Sequence, residues 1–301
     1  MKLTRLALTL VAAGLATTAA AQELGGTLKK IKDTGAITIG YRESSIPFGY
    51  LDDKQQPIGY AMDICAKIVE AVKKELKLDK LEVKLTPVTS STRIPLIANG
   101  TVDLECGSTT NNADRQKQVS FAPTHFLTAS RFVTKKASNI KTIDDLKGKT
   151  VVSTAGTTNI KQLNDANTEK KLGINIIPAK DHAEAFLMVE TDRAVAFVMD
   201  DILLASLVAG SKEPAAYVIP EAAFSLPEPY GIMLRREDPA FKKLVDQAVG
   251  DFYKSAEGKA NYDKWFMKPI PPKNLTLNVP MSPSLQKVYD KPTDSPDPAM
   301  Y

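Results

Sequence analysis

The chain has 301 residues, 43% of them hydrophobic and 25% charged, which is ample apolar material for one large domain or two smaller ones. The formal charge of +4 comes from scattered basic residues, which argues against a nucleic-acid partner. Two cysteines and two histidines, far apart along the chain, do not make a metal-ligand cluster. We therefore expect no metal and no cofactor.

The first 21 residues have the pattern of a secretory signal peptide. Lys2 and Arg5 form a basic start, an apolar run covers 6–15, and small residues over 19–21 suit cleavage after about Ala21. The apolar run is too short to span a bilayer, and no later stretch is long enough either. We expect a secreted protein, located in the periplasm if the source is a Gram-negative bacterium.

The two cysteines, Cys65 and Cys106, admit two interpretations. In an oxidising compartment an even number of cysteines favours a disulfide. The alternative is a pair of buried free thiols.

The first half of the chain alternates strands and helices. After a short helix, the pattern predicts a strand over 36–41, a helix over 60–78, a strand over 81–85, a helix between 89 and 100, and a strand over 101–105. In open α/β sheets, ligands bind beyond the carboxyl ends of the strands. The polar residues that follow these three strand ends are Arg42, Ser90, Arg93, Ser108, Thr110 and Arg115.

The second half repeats the architecture without repeating the sequence. Strands are predicted over 151–153, 174–177 and 194–198, each followed by a helix. The polar residues at these strand ends are Thr157, Thr158, His182 and Asp200. If two α/β lobes face each other with these ends inward, all six strand ends line one cleft.

Each of these residues also has a purely structural explanation. Serine, threonine and asparagine favour helix starts, and one of Asp200 and Asp201 is expected to cap a helix. A lone arginine after a strand is commonly a surface residue. The agreement of six strand ends favours the cleft.

The charges predicted for this cleft indicate the chemistry of a ligand. Three arginines supply a surplus of positive charge, and Asp200 supplies one acidic corner. A buried carboxylate must be paired and hydrogen-bonded, and each charge-assisted hydrogen bond contributes about 1.5–3 kcal/mol. A dicarboxylic amino acid matches this set, because its two carboxylates suit the arginines and its ammonium suits Asp200.

The remaining segments predict connections and a tail. β-rich runs over 126–134 and 225–232 link the two halves, and a helix covers 238–253. A proline-stiffened segment follows over 268–274. The polar, proline-rich tail after Tyr289 is predicted to be loose.

Several segments together resemble the periplasmic amino-acid-binding proteins of ABC transporters, and within that family the members that bind glutamate and aspartate. They cover the chain from about residue 30 to 275. The matching segments are Tyr41-Arg-Glu-Ser-Ser-Ile-Pro-Phe48, Thr89-Ser-Ser-Thr-Arg-Ile-Pro95, Glu105-Cys-Gly-Ser-Thr-Thr-Asn-Asn112, Ala155-Gly-Thr-Thr158, Ala179-Lys-Asp-His182, Arg193-Ala-Val-Ala-Phe197, Met199-Asp-Asp201 and Trp265-Phe-Met-Lys-Pro-Ile-Pro-Pro-Lys-Asn274. Tyr41 departs from the family, which has histidine there, and Cys65 is a variable position.

The resemblance implies a type II periplasmic binding protein fold, with two lobes that are each a mostly parallel sheet flanked by helices. Two hinge strands, near 127–131 and 226–230, would join them. Lobe one would comprise 22–128 and 229–301, and lobe two 129–228. The implied partners are L-glutamate or L-aspartate and an inner-membrane ABC permease, and we expect a monomer.

The resemblance also implies roles for the residues of the cleft. The side-chain carboxylate would be bound by Arg42, Ser90, Arg93 and His182. Thr110, Arg115 and Thr158 would bind the α-carboxylate, and Thr157 is a further candidate ligand-binding residue. Ser108 and Asp200 would receive the ammonium group.

Two rival functions remain open on the same fold. A periplasmic enzyme, such as a dehydratase, would need a general acid or base, for which His182 or Glu43 are candidates. A sensory ligand-binding module would use the same cleft but would be expected to have a membrane span or signalling domain. We expect neither, because no nucleophile and base are arranged together and no such span or domain is evident.

Overall fold

The computed structural model describes residues 24–301, so the predicted signal peptide lies outside the described residues. The described residues form ten α-helices and fifteen β-strands. The helices are α1 (Gly26–Thr34), α2 (Tyr60–Glu75), α3 (Arg93–Ala98), α4 (Ala113–Gln116), α5 (Thr158–Glu169), α6 (His182–Glu190), α7 (Asp201–Gly210), α8 (Pro239–Lys254), α9 (Ala256–Phe266) and α10 (Pro283–Asp290). The strands are β1 (Ala36–Tyr41), β2 (Ser44–Ser45), β3 (Gly49–Leu51), β4 (Pro57–Ile58), β5 (Glu82–Pro87), β6 (Leu104–Cys106), β7 (Val119–Phe121), β8 (Phe126–Thr128), β9 (Ser130–Lys135), β10 (Thr150–Thr154), β11 (Asn175–Ala179), β12 (Ala196–Asp200), β13 (Tyr217–Val218), β14 (Glu228–Tyr230) and β15 (Met233–Arg235).

The first lobe is built on a five-stranded sheet in the order β5-β1-β6-β15-β7. Strands β5, β1 and β6 are parallel, whereas β15 runs antiparallel to its neighbours. Helix α2 presents Ile64, Ile68 and Val72 to the core, and all three are fully buried. The apolar spacing of α2 therefore covers one face of this sheet. The helix ends at Glu75, three residues before the predicted end, and Lys77 has a left-handed backbone (φ 51°).

The second lobe is built on a sheet in the order β11-β10-β12-β9-β13. Strands β11, β10 and β12 are parallel, and β9 is antiparallel to β12. The first three parallel strands of both lobes thus follow the same spatial order. Because the carboxyl ends of parallel strands meet at one edge, each lobe collects its strand-end residues on one side.

Two strands connect the lobes. Strand β8 pairs antiparallel with β14, with Leu127 opposite Pro229. Along the chain, β8 leads directly into β9 of the second lobe, and β14 leads back to β15 of the first. The predicted fold class, two α/β lobes joined by two strands, is confirmed.

The first lobe is further fixed by a disulfide and an aromatic cluster. Cys65 on α2 is bonded to Cys106 at the end of β6, with 6.3 Å between the two Cα atoms. Near this bridge, Phe48 packs edge-on against Tyr60, Phe126 and Tyr230. These aromatic rings join β8 and β14 to the core of the first lobe.

The prediction of a loose C-terminal tail is wrong. The backbone N–H of Thr124 donates to the carbonyl of Thr293 over 2.8 Å, and Tyr301 meets the Thr124 hydroxyl at 2.8 Å. The tail therefore lies along the first lobe. Its polar groups are satisfied by residues distant in sequence, which composition alone does not reveal.

Candidate ligand-binding cleft

A narrow cavity with an empty volume of about 190 Å³ lies between the two lobes. Both lobes line it, and seven of the ten predicted residues reach its wall. These are Arg93, Ser108, Thr110, Thr157, Thr158, His182 and Asp200, joined by Asn159, Met199 and Leu203. The other three, Arg42, Ser90 and Arg115, are buried beside it, as their hydrogen bonds to cleft segments indicate.

Arg42 follows β1 and is 2% exposed. Its Nη2 donates to the Ser90 hydroxyl over 2.9 Å, and its Nη1 has no hydrogen-bond partner among the described residues. Burial lowers the pKa of Arg42 to about 10, and the positive charge of Arg93 adds to the effect. Arg42 therefore remains charged at neutral pH, with one donor free for a ligand.

Arg93, the first residue of α3, is also 2% exposed. Its Nη1 bonds to the Thr109 hydroxyl and lies 3.9 Å from the buried carboxylate of Glu105. Burial lowers the pKa of Arg93, while Glu105 acts in the opposite direction. The Nε of Arg93 has no partner among the described residues.

Arg115 comes from α4, a single helical turn capped by the Asn112 side chain. Its Nη1 donates to the Thr110 carbonyl over 2.8 Å, and its Nη2 reaches the Gly156 carbonyl of the second lobe at 3.3 Å. Burial lowers the pKa of Arg115 to about 9, with Arg93 contributing in the same direction. Arg115 thus lies at the line where the lobes meet.

The second lobe contributes neutral donors from helix starts. Thr158 is the first residue of α5, and its hydroxyl faces that of Thr110 across the cleft at 3.4 Å. The Thr157 hydroxyl caps α5 and donates to the Thr154 carbonyl over 2.7 Å. The side chain of Thr157 is therefore already occupied by the helix cap, as the structural alternative proposed.

His182 begins α6 and is 1% exposed. Its Nδ1 lies 2.9 Å from the Thr154 hydroxyl, and its Nε2 has no partner among the described residues. Burial lowers the pKa of His182 well below its usual range, and the charges of Arg42 and Arg93 add to this. The imidazole is therefore neutral at pH 7.

Asp200 supplies the acidic corner. Its carboxylate accepts from Asn159 Nδ2 over 2.8 Å and from the Tyr230 hydroxyl. It precedes α7 without capping it, and the backbone N–H of Ile202 is met by Asp201 instead. Of the two aspartates, Asp200 therefore lines the cleft, and Asp201 accepts a hydrogen bond from the first turn of α7.

Sequence reasoning missed Asn159, which lines the cleft, and three residues buried beside it, Glu105, Glu228 and Tyr230. Glu105 is fully buried and accepts from the Thr109 hydroxyl over 2.6 Å. A glutamate within an otherwise apolar strand was the available signal, because glutamate is almost never fully buried unless it is paired. Glu228 accepts from Gln162 Nε2 over 3.0 Å, and burial raises its pKa to about 7, with Asp200 adding to the shift.

These carboxylates correct the charge expected for the cleft. The sequence predicts a positive cleft with a single acidic group, but Glu105 lies beside Arg93 and Glu228 lies near Arg115 and Asp200. When Glu228 is protonated, which its raised pKa of about 7 allows, Glu105 and Asp200 leave the three guanidiniums a formal surplus of one positive charge, whereas ionised Glu228 cancels that surplus. With Glu228 protonated, the cleft therefore matches a ligand of net charge −1.

Five buried polar atoms of residues in or beside the cleft have no hydrogen-bond partner among residues 24–301. They are Arg42 Nη1, Arg93 Nε, Ser108 Oγ, His182 Nε2 and Glu105 Oε1. Buried polar atoms are nearly always hydrogen-bonded, and leaving one unpaired costs about 1–3 kcal/mol. Four of the five can donate a hydrogen bond, which indicates a site for a ligand rich in acceptor atoms.

In residues 24–301, no helix has the length and apolar character needed to cross a membrane. Within the same range, no three His, Cys, Asp or Glu side chains are grouped so that they could bind a metal ion.

Known proteins share sequence with most of this chain. The family model for bacterial extracellular solute-binding proteins, family 3, matches residues 37–268. A protein of Pseudomonas aeruginosa named "L-glutamate/L-aspartate-binding protein" is 56% identical over 95% of this chain and 94% of its own length. A "Glutamate/aspartate import solute-binding protein" of Salmonella typhimurium is 50% identical over 90% of this chain and 89% of its own.

The fold has solved relatives as well. A mutant of ArgBP from T. maritima superimposes with a TM-score of 0.70 at 26% sequence identity, covering 79% of this chain and 98% of that one. The two relatives above are named as binding proteins, and neither is named as an enzyme.

Proposed function

The chain belongs to the bacterial extracellular solute-binding proteins of family 3, and from this premise we propose that it binds L-glutamate or L-aspartate between its lobes and delivers the amino acid to an inner-membrane ABC permease. The observation that carries the proposal is the set of unpaired donors beside three buried guanidiniums. The names and identities of the two relatives support the same ligands.

The proposed ligand meets the cleft with its two ends in different surroundings. The side-chain carboxylate takes the free donors of Arg42, Arg93 and His182, with Ser90 positioning Arg42. Arg115, Thr110 and Thr158 receive the α-carboxylate, and Thr157 lines the wall beside them. The ammonium lies between Ser108 and Asp200.

Charge and hydrogen bonding together favour a dicarboxylic amino acid over its amide. Glutamate or aspartate has a net charge of −1, which balances the surplus left by Glu105 and Asp200 when Glu228 is protonated. In that state, glutamine or asparagine would leave a buried guanidinium without a counter-charge. Leaving a buried charge uncompensated costs about 3–5 kcal/mol, so the discrimination is expected to be strong.

Lobe closure is the proposed mechanism. Ligand groups bind to both lobes, so the ligand favours the closed arrangement through contacts that an open one lacks. Closure occurs at the paired strands β8 and β14, and we propose lobes of 22–128 with 229–301 and of 129–228. The closed form then presents a joint surface of both lobes to the permease.

The proposal extends to the location and assembly of the protein. The signal-peptide pattern, with cleavage after about Ala21, fits an exported protein of the periplasm. We propose that the protein works as a monomer, with the permease as its protein partner.

Of the two general-base candidates for the rival enzyme, His182 is the one that lines the cleft, and its surroundings do not suit that role. His182 contacts a threonine hydroxyl and not a carboxylate, and its lowered pKa makes it a poor proton acceptor at pH 7. A general base needs a pKa near the working pH. We therefore propose binding without chemical change of the ligand.

Calorimetric titration of the ligand-free protein with glutamate, aspartate, glutamine and asparagine tests the proposal. The two acidic amino acids are expected to bind at least about 100-fold more tightly than the amides. Equal affinity for acid and amide would refute the assignment of the side-chain pocket. Failure of all four to bind would refute the proposed function.

A further inference from the structure

The C-terminal tail reaches the turn that bears Arg115, although the family match ends at residue 268. Residue Asp294 in this tail offers its backbone carbonyl to two side-chain amides. Asn111 Nδ2 donates to it over 2.9 Å, and Gln116 Nε2 donates to it over 3.0 Å. Gln116 Nε2 also meets Asn111 Oδ1 at 3.0 Å, so the three groups form a closed set of hydrogen bonds.

These two amides flank Arg115 on both sides. Asn111 directly follows Thr110 and is 1% exposed, and Gln116 directly follows Arg115. Helix α4 between them has only four residues, and a single turn is not stable by itself because helix nucleation is unfavourable. The turn therefore depends on contacts from outside.

The tail is anchored at several points away from this turn. The Asp294 carboxylate pairs with Lys242 of α8 at 2.9 Å, and the Thr293 carbonyl accepts from the backbone of Thr124 at 2.8 Å. The hydroxyl of Tyr301 donates to the Ser295 carbonyl over 2.8 Å. The acceptor presented to the turn is thus held in place by the body of the first lobe.

From this geometry we infer that residues 292–295 of the tail position the amino-acid site: the Asp294 carbonyl, through Asn111 and Gln116, fixes the α4 turn so that Arg115 is prepared for the α-carboxylate. The role of Arg115 rests on the proposed function. Asn111, Gln116 and Asp294 act as positioning residues, because none of them lines the cavity. A preorganised partner binds more tightly because less freedom is lost on binding.

The test replaces Gln116 by methionine, which has a similar shape but no donor. Gln116→Met removes both hydrogen bonds of Nε2 and is expected to weaken binding of glutamate and aspartate about tenfold, without changing the ratio of the two affinities. Gln118→Met is the matched control, since Gln118 is an exposed glutamine two residues further along the chain. The Gln118→Met variant is expected to bind glutamate and aspartate with the same affinity as the wild type.

A double variant distinguishes an effect that acts through Arg115 from a general loss of stability. In Arg115→Lys, which keeps the charge but loses the planar fork, Gln116→Met is expected to have an effect of less than about threefold. An undiminished tenfold loss in that background would overturn the inference. So would wild-type affinity in Gln116→Met itself.

A measurement without ligand keeps the inference independent of the proposed function. Asp294→Ala keeps the backbone carbonyl but removes the carboxylate that pairs with Lys242 and so anchors the tail. Hydrogen exchange of the ligand-free protein is expected to be faster at the backbone amides over 115–118 in Gln116→Met and in Asp294→Ala than in Gln118→Met. Unchanged exchange in both variants would overturn the inference. If the wild type bound neither acidic amino acid, the proposed function would fail, and the exchange rates would still decide whether the tail fixes this turn.

Discussion

The two lobes share one strand order but bring different chemistry to the cleft. The first lobe supplies all three buried guanidiniums, and it also has the disulfide, the aromatic cluster and the docked tail. The second lobe supplies neutral hydroxyls, one neutral imidazole and Asp200, mostly from the starts of α5, α6 and α7. The buried positive charge therefore lies on the first lobe, which is also the lobe stabilised by the disulfide, the aromatic cluster and the tail.

This difference has a physical reason. Buried like charges repel, and Arg93 lowers the pKa of both Arg42 and Arg115. On a flexible segment the guanidiniums would move apart or into water. In the first lobe, the disulfide, the aromatic cluster and the tail keep the backbone rigid, so the guanidiniums stay close together. Two ligand carboxylates relieve the repulsion, so the first lobe is expected to bind first and the second lobe to close over it.

Replacing an arginine of the first lobe is expected to have the largest effect. Arg115→Ala removes the charge partner that we propose for the α-carboxylate, and it should weaken glutamate binding by about 3 kcal/mol, more than 100-fold. Calorimetry measures the loss, and Arg193→Ala, an exposed arginine of the second lobe, serves as the control. Near-wild-type affinity in Arg115→Ala would show that Arg115 does not bind the α-carboxylate.

The aromatic cluster of the first lobe predicts its response to acid. His125 is fully buried, with its ring 5.8 Å from that of Phe48, and burial lowers its pKa to about 3. Below about pH 6.5 the unfolded chain takes up a proton that the folded chain excludes until about pH 3, so folding stability falls as the pH drops through this window. His125→Phe should therefore gain about 2 kcal/mol over the wild type on moving from pH 7.5 to pH 5.

Thermal unfolding of both proteins at the two pH values checks this expectation. The gap in Tm between variant and wild type should widen as the pH falls. Parallel shifts of the two proteins would show that His125 does not contribute to the acid response.

The close approach of the lobes is tested at Gly156. Its φ is +76°, and a Cβ there would lie 2.7 Å from the Cα of Ser91 on the facing lobe. Gly156→Ala should hold the lobes apart and weaken glutamate binding about tenfold, or about 1.4 kcal/mol. Gly148→Ala is a matched control, since Gly148 has φ +68° with nothing within 4 Å of its Cβ position.

Small-angle X-ray scattering measures lobe closure in the Gly156→Ala variant. The decrease in radius of gyration on adding glutamate should be smaller in Gly156→Ala than in Gly148→Ala. Equal decreases in both variants would mean that this contact does not limit closure.

The smallest expected effect concerns His182 of the second lobe. Without ligand its pKa is well below the usual range, owing to burial and to the charges of Arg42 and Arg93. A bound carboxylate at Nε2 raises that pKa, so ligand binding should be accompanied by uptake of a fraction of a proton, increasingly so as the pH is lowered. Titrations in buffers of different ionisation enthalpy measure the uptake, which should disappear in His182→Asn. Equal uptake in both proteins would assign the proton to another group.

The strand-end arrangement is predictable from the sequence because it depends on local periodicity and on where polar residues follow strands. That logic identifies Arg42, Arg93 and Asp200 from the amino-acid sequence alone. It misses Glu105 and Tyr230, because their roles depend on partners far away in the chain or across the cleft. It also predicts a loose tail, because the composition of the tail does not indicate its hydrogen bonds with Asn111 and Gln116.

The central claim is that the two ends of the amino acid are bound by separate groups, with Arg93 reading the side-chain carboxylate. The most direct test is the ratio of glutamine to glutamate dissociation constants in the wild type and in Arg93→Ala. We predict that Arg93→Ala lowers this ratio by at least about tenfold, because glutamate loses a charge partner that glutamine never used. An unchanged ratio, with both ligands weakened equally, would contradict the account.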